Sequence, residues 1–193
     1  MKEDLRVKKT KNALRKALAT LLKTKTFDKI TIMEICETAM VNRVTFYSHY
    51  KDKQGLFMDH VHTVTNKIIE KCYLVAKPYE GMQRAMTFFN ELFKELVECL
   101  AYSDEEQYLN TIEDKFYFIY DAQHQASILI KNYMAESKVF KNSKYSTDTI
   151  MAFLFGATSN MARNYSCEEN PIKKAEIKEQ FKLLIESFIK GTM

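Results

Sequence analysis

Residues 30–57 read ITIMEICETAMVNRVTFYSHYKDKQGLF, and this stretch decides the fold. Thr31 and Glu34 stand in the T-x-x-E spacing of a capping box, where the threonine hydroxyl accepts from the N3 backbone and the N3 carboxylate reaches back to the cap N–H. Ile30 and Ile35 occupy the two positions of a hydrophobic staple. A helix therefore begins at Ile32 and turns Ile32, Ile35, Cys36 and Ala39 inward. It must end soon, because Asn42 is a strong N-cap for another helix, stapled by Val41 and Phe46. On that next helix Phe46 and Tyr50 lie four apart and face a core, while Arg43, Val44, Tyr47 and Ser48 share the opposite side. Asp52 can cap a further helix from Lys53.

Toward the N-terminus, residues 8–24 carry Leu14, Ala17, Leu18, Leu21 and Leu22 at the spacing of one helical face, and a short linker, TFDKI, joins them to Thr31. Two short helices with a tight turn between them, covered by a preceding helix, make a helix-turn-helix with the third helix as its reader. The outward side of that helix has the chemistry for duplex DNA. Arginine forks onto guanine, valine touches a thymine methyl, and the hydroxyls reach phosphates or base edges. Charge agrees: residues 1–56 carry 13 Lys/Arg against 6 Asp/Glu, whereas the remainder carries 16 against 19. A basic head on a mildly acidic body is the footprint of polyanion binding.

The rest of the chain is helical throughout. Only 4 glycines and 2 prolines occur in 193 residues, too few for a turn-rich β sandwich, and the glycines stand too far apart for a phosphate-binding loop. Periodic apolar positions predict helices over residues 56–77 and 82–102, another from SDEEQ at 103–107 through Ile112, one over 121–139, and a final hairpin of 147–166 and 172–190. Cys36, Cys72, Cys99 and Cys167 form no CxxC pair, which argues against disulfides and zinc and for a reducing, cytoplasmic setting. No signal peptide or membrane span is predicted. His60 and His62 are two apart and share no helix face, and no set of metal ligands is read around His124, so no metal or other cofactor is expected. Neither a nucleophile elbow nor a catalytic cluster can be read, and the chain is not expected to be an enzyme.

The segment TFYSHYKDKQGLF, within 30–57, resembles the DNA-binding signature of the TetR/AcrR family of bacterial transcriptional regulators, with similarity extending over about residues 8–60. The resemblance implies base contacts at Arg43, Val44 and Tyr47 and phosphate contacts at Thr31, Asn42, Thr45, Ser48, His49 and Lys53. It implies Tyr50 as a core aromatic, a homodimer, and an operator with two-fold symmetry. It also implies a helical ligand domain whose occupancy changes the spacing of the two heads. One departure is visible, because Met40 fills the turn position where the family usually has glycine.

The expectation is an all-α regulator, with a helix-turn-helix DNA-binding domain at 1–56 and a helical ligand-binding and dimerisation domain at 57–193. It would act as a repressor on double-stranded DNA. The apolar stripes Ile150, Phe153, Leu154, Ala157 and Met161, then Phe181, Leu184, Ile185 and Phe188, exceed what one hairpin core needs, and the resemblance puts the dimer interface there. His60, Val64, Phe89, Phe93, Tyr120, His124 and Tyr133 are candidates to line a cavity for an apolar or aromatic small-molecule inducer. The rival reading keeps this fold but leaves the DNA head unused, as in a protein-binding coactivator or a helical small-molecule carrier.

Overall fold

Capping chemistry fixes where the short helices start and stop. The computed structural model describes residues 5–102, 115–137 and 139–192, with the side chains at 101, 102, 115–120, 136 and 137 outside the description. Among the described residues there are eight α-helices, one 3-10 turn at Phe27–Lys29 and no strand. The helices are α1 Leu5–Leu22, α2 Ile32–Ala39, α3 Arg43–His49, α4 Lys53–Ala76, α5 Gly81–Tyr102, α6 Lys115–Ser137, α7 Thr147–Cys167 and α8 Pro171–Thr192. The all-α expectation holds. The helix expected from residue 103 through Ile112 lies outside the described residues. Helix α6 begins six residues before the expected Asp121, in a run free of glycine and proline.

Each predicted cap is occupied. Thr31 Oγ1 accepts from the Glu34 N–H at 3.2 Å while Glu34 Oε2 accepts from the Thr31 N–H at 2.8 Å, completing the box. Asn42 Oδ1 accepts from Val44 N–H at 2.9 Å, and Asp52 Oδ1 accepts from Gly55 N–H at 2.8 Å. Between α2 and α3 the Val41 N–H donates to the Cys36 carbonyl at 2.9 Å and the Met40 N–H to Glu37 at 3.1 Å. These paired bonds close a helix on a left-handed residue. Met40 takes that conformation at φ 54° and ψ 41°, with its side chain 95% exposed. A methionine there carries the full steric cost of the left-handed region, about 1–2 kcal/mol.

The described residues form two compact units, one from 5–64 with 115–121 and the other from 65–102 with 122–192. The division falls at Val64 inside α4, later than the expected boundary at 56, because Leu56 and Phe57 of α4 are buried with the N-terminal helices. In the first unit Leu14, Leu18, Ile30, Ile35, Phe46 and Leu56 are almost wholly withdrawn from water.

In the second unit α5 packs against α7 and α8. Its buried face runs Ala85, Phe88, Phe89, Leu92 and Phe93, and Phe93 stacks on Phe181 at 4.4 Å between ring centroids and meets Tyr165 edge-on. Phe89 and Phe93, candidates for a cavity wall, lie in the hydrophobic core of this unit. Of the candidate interface residues, Ile150, Leu154, Phe181 and Ile185 are buried within the same core, where α5 packs on the α7–α8 hairpin. Phe153 and Leu184 are exposed, and Ala157, Met161 and Phe188 are half-buried.

Two measurements follow from this packing. Met40→Gly relieves the left-handed strain at the cost of a more flexible unfolded chain, and is expected to stabilise the first unit by about 1 kcal/mol in a urea titration. Burial pushes the Cys72 thiol up to about 12 and raises Cys36 as well, while Cys167 is exposed. Iodoacetamide at pH 8 under native conditions is therefore expected to label Cys167 and spare Cys36 and Cys72, as peptide mass spectrometry would report.

Candidate nucleic-acid interface

Helix α3 has only seven residues, and it divides cleanly. Phe46 is 0% exposed and its neighbour across one turn, Tyr50, is buried. Val44 is 77% and Tyr47 50% exposed, and Arg43 and Ser48 are exposed beside them. Tyr47 is braced from beneath, its ring meeting Phe46 edge-on at 5.5 Å. Thr45 and His49 are half-buried, and the Ser48 hydroxyl donates to the Thr45 carbonyl at 2.7 Å. The structure thus brings together a cation, a branched apolar chain and a phenol on one open helical face.

Thr31 stands at the N-terminus of α2 with its hydroxyl committed: it donates to Glu34 Oε2 at 2.8 Å while accepting from the Glu34 N–H. Glu34 also pairs with Lys25. The Lys25 ammonium, and then the Thr31 N–H and hydroxyl, hold the Glu34 carboxyl down at about 2. A depressed carboxyl stabilises the fold above its ordinary range and loses that contribution as pH falls through its folded value, so this box persists well into acid.

Lys53 is placed unlike the surface lysines. Its Nζ donates to the backbone carbonyls of Phe27 at 2.8 Å, Asp28 at 3.0 Å and Ile30 at 2.9 Å, and it sits 4.7 Å from the Phe27 ring centroid. An ammonium has three N–H groups, and all three are used. Burial pushes its pKa down, and the Asp28 carboxylate opposes that shift. In this arrangement Lys53 ties the 27–30 linker to the first turn of α4, with no N–H left over for a phosphate.

Sequence reading missed a second polar cluster. Asp59 Oδ2 on α4 accepts from Arg15 Nη1 of α1 at 3.0 Å and from the Tyr50 hydroxyl at the end of α3. Arg15 stands beside the apolar stripe of its helix, and nothing in local spacing links it to a carboxylate 44 residues away.

The candidate cavity residues divide between the two units. His60 and Val64 are half-buried on α4 in the first unit. In the second unit His124 is exposed and Tyr133 is stacked on Tyr73 at 4.2 Å, while the side chain of Tyr120 lies outside the described residues. An opening of about 320 Å³ occurs elsewhere in that unit, lined by Met134, Ala135, Phe140, Lys141 and Thr147.

Solved structures of low sequence identity share this architecture. A TetR-family transcriptional regulator of Pectobacterium atrosepticum superposes with a TM-score of 0.64 at 12% identity, covering 100% of this chain and 98% of its own. A TetR/AcrR-family regulator of Thermobifida fusca gives 0.62 at 16%, covering 91% and 96%. The regulator FadR of Bacillus subtilis, solved in complex with stearoyl-CoA, gives 0.63 at 12%, covering 94% and 98%. The chain has the TetR-family fold. Among curated proteins, the uncharacterised HTH-type transcriptional regulator YxbF of Bacillus subtilis is 33% identical over 78 residues, which is 40% of this chain and 20% of that protein. The match thus spans about one fifth of that relative's length. No family model matches the sequence. Within the TetR-family fold seen here, no described helix is long and apolar enough to cross a membrane.

Lys53 gives this geometry a direct test. Lys53→Met keeps the contact with Phe27 and removes three hydrogen bonds to backbone carbonyls, so it is expected to lower stability in urea by about 1–2 kcal/mol. A lysine serving only an external phosphate would leave stability unchanged.

Proposed function

We propose that this chain is a sequence-specific DNA-binding transcriptional regulator, acting as a homodimeric repressor on a two-fold symmetric operator and without catalytic activity. The observation that carries the reading is the split of α3, which buries Phe46 and Tyr50 and opens Arg43, Val44, Tyr47 and Ser48 to solvent. In the major groove Arg43 would fork onto guanine, Val44 would meet a thymine methyl, and Tyr47 would reach a base edge. Thr31, Asn42, Thr45, Ser48 and His49 would sit along the phosphates, with Lys53 contributing its charge from the linker it holds. The basic balance of residues 1–56 supports the same partner.

The dimer surface in this reading is the exposed remainder of the α7–α8 hairpin. Phe153 stacks on Phe188 at 4.2 Å yet stays 55% exposed, and Leu184 is 60% exposed. Large apolar side chains held open together on a hairpin are what a second copy would cover. The effector would be an apolar or aromatic small molecule held by the second unit. FadR, with stearoyl-CoA, offers the parallel.

Operator selection from random duplexes at defined salt tests the core of the proposal. Arg43→Ala is expected to weaken the selected site by about 1–3 kcal/mol and to relax one base position. A loss that is equal for all sequences would remove Arg43 from base readout, and selection of no duplex would favour the coactivator or carrier reading. Leu184→Lys is expected to turn dimers into monomers in sedimentation at micromolar concentration. A wild type that sediments as a monomer would overturn the dimer.

A further inference from the structure

A reading face on a seven-residue helix is useful only if the angle of that helix is fixed. The N-terminal end of α3 is fixed by the Asn42 cap and the closed turn at Met40. Its C-terminal end depends on Tyr50, whose N–H donates to the Phe46 carbonyl at 2.9 Å and whose ring lies 5.8 Å from that of Phe46. Apolar contact between the rings resists separation but has no direction, so by itself it permits swivelling. A hydrogen bond to a carboxylate is directional and strong.

Resting on the DNA-binding reading above, we propose that Asp59 is a positioning residue for recognition: it holds the C-terminal end of α3 through the Tyr50 hydroxyl and is held in turn by α1 through Arg15.

The hub extends beyond one carboxylate oxygen. Asp59 Oδ2 accepts from both Tyr50 and Arg15. Arg15 Nη1 also donates to Thr63 Oγ1 at 2.7 Å and Nη2 to Asn12 Oδ1 at 2.5 Å, while Thr63 Oγ1 donates to the Asp59 carbonyl at 2.7 Å. Three helices therefore meet on one carboxylate. The Arg15 side chain is only 16% exposed, so Asp59 also balances a charge largely withdrawn from water. Leverage makes the geometry matter. Arg43 to Tyr50 spans about 10 Å at 1.5 Å per residue, so a swivel of about 10° at one end displaces the other by about 2 Å. Functional side chains need to be held within about 0.5 Å of their productive geometry.

The test uses the full chain, an operator selected from random duplexes, and the variants Tyr50→Phe, Asp59→Ala and their combination. Tyr50→Phe removes one oxygen and keeps the core ring. It is expected to weaken operator binding about tenfold while affinity for random duplex and the salt slope change by less than about twofold. In the Asp59→Ala background the same substitution is expected to cost nothing further. A network that only stabilised the fold would lower operator and random-duplex binding together, and an unchanged ratio of the two in Tyr50→Phe would overturn the proposal while leaving the DNA reading intact. If Asp59→Ala does not fold, the ratio in Tyr50→Phe decides alone. A wild type that selects no duplex overturns both.

Discussion

The burial of one phenylalanine organises the first unit. A helix of seven residues is far below the roughly 12–15 at which an isolated helix becomes even marginal in water, so α3 exists because tertiary contacts hold it. Phe46 supplies them, fully withdrawn from solvent in the core of Leu14, Leu18, Ile35 and Leu56. Burying such a side chain contributes about 1.5–3 kcal/mol, more than any single cap on this helix. Once Phe46 points inward, the 3.6-residue period sets Val44 on the far side and Tyr47 and Arg43 on the flanks, where all three are exposed. The composition of the open face is thus a consequence of where the core residue stands.

Apolar packing sets which face is inside, but polar contacts set the joints between elements. Lys53 gathers three carbonyls of the 27–30 linker, which has only a single 3-10 turn of its own. Asp59 gathers donors from α1 and the end of α3. The second unit adds ring stacks, Phe93 on Phe181 and Tyr73 on Tyr133, to polar ties such as Lys71–Glu95 and the bonds of Arg84 to the Lys77 and Tyr79 carbonyls, in a core rich in phenylalanine and methionine. A short helix that must present side chains at fixed angles needs directional ties, whereas long helices packed side by side can rely on area.

This division bears on function through charge. The cations at Lys25 and Lys53 are engaged within the protein, by Glu34 and by backbone carbonyls. Arg43, in contrast, lies on the open side of α3. In the proposed complex, the arginine at the start of α3 would carry base discrimination, and the internally tied lysines would shape the surface against which the phosphates lie.

Much of the first unit was legible in local sequence because its signals are short-range. The Thr31–Glu34 box, the Asn42 and Asp52 caps and the inward pair Phe46 and Tyr50 each depend on residues within four positions of one another, and spacing alone determines which atoms can meet. The Met40 departure was visible as a question, and the fold answered it: the long-range core outweighs a local cost of about 1–2 kcal/mol, so methionine adopts the left-handed turn. Periodicity also found the helices of the second unit, yet it could not say what would cover them. Phe153 and Ile150 stand three apart on one stripe, but α5 buries Ile150 and leaves Phe153 open. The bonds of Lys53 to the linker and of Arg15 to Asp59 were beyond sequence reading for the same reason, since they join residues 23 to 44 positions apart and no local pattern encodes a contact between helices. Sequence by itself determined which residues form helices and which face of each is apolar, because those follow from bonds and spacing within a turn or two. Tertiary structure alone decided which apolar residues are spent in the core and which charges are spent on the protein's own backbone, because both depend on what the chain brings alongside.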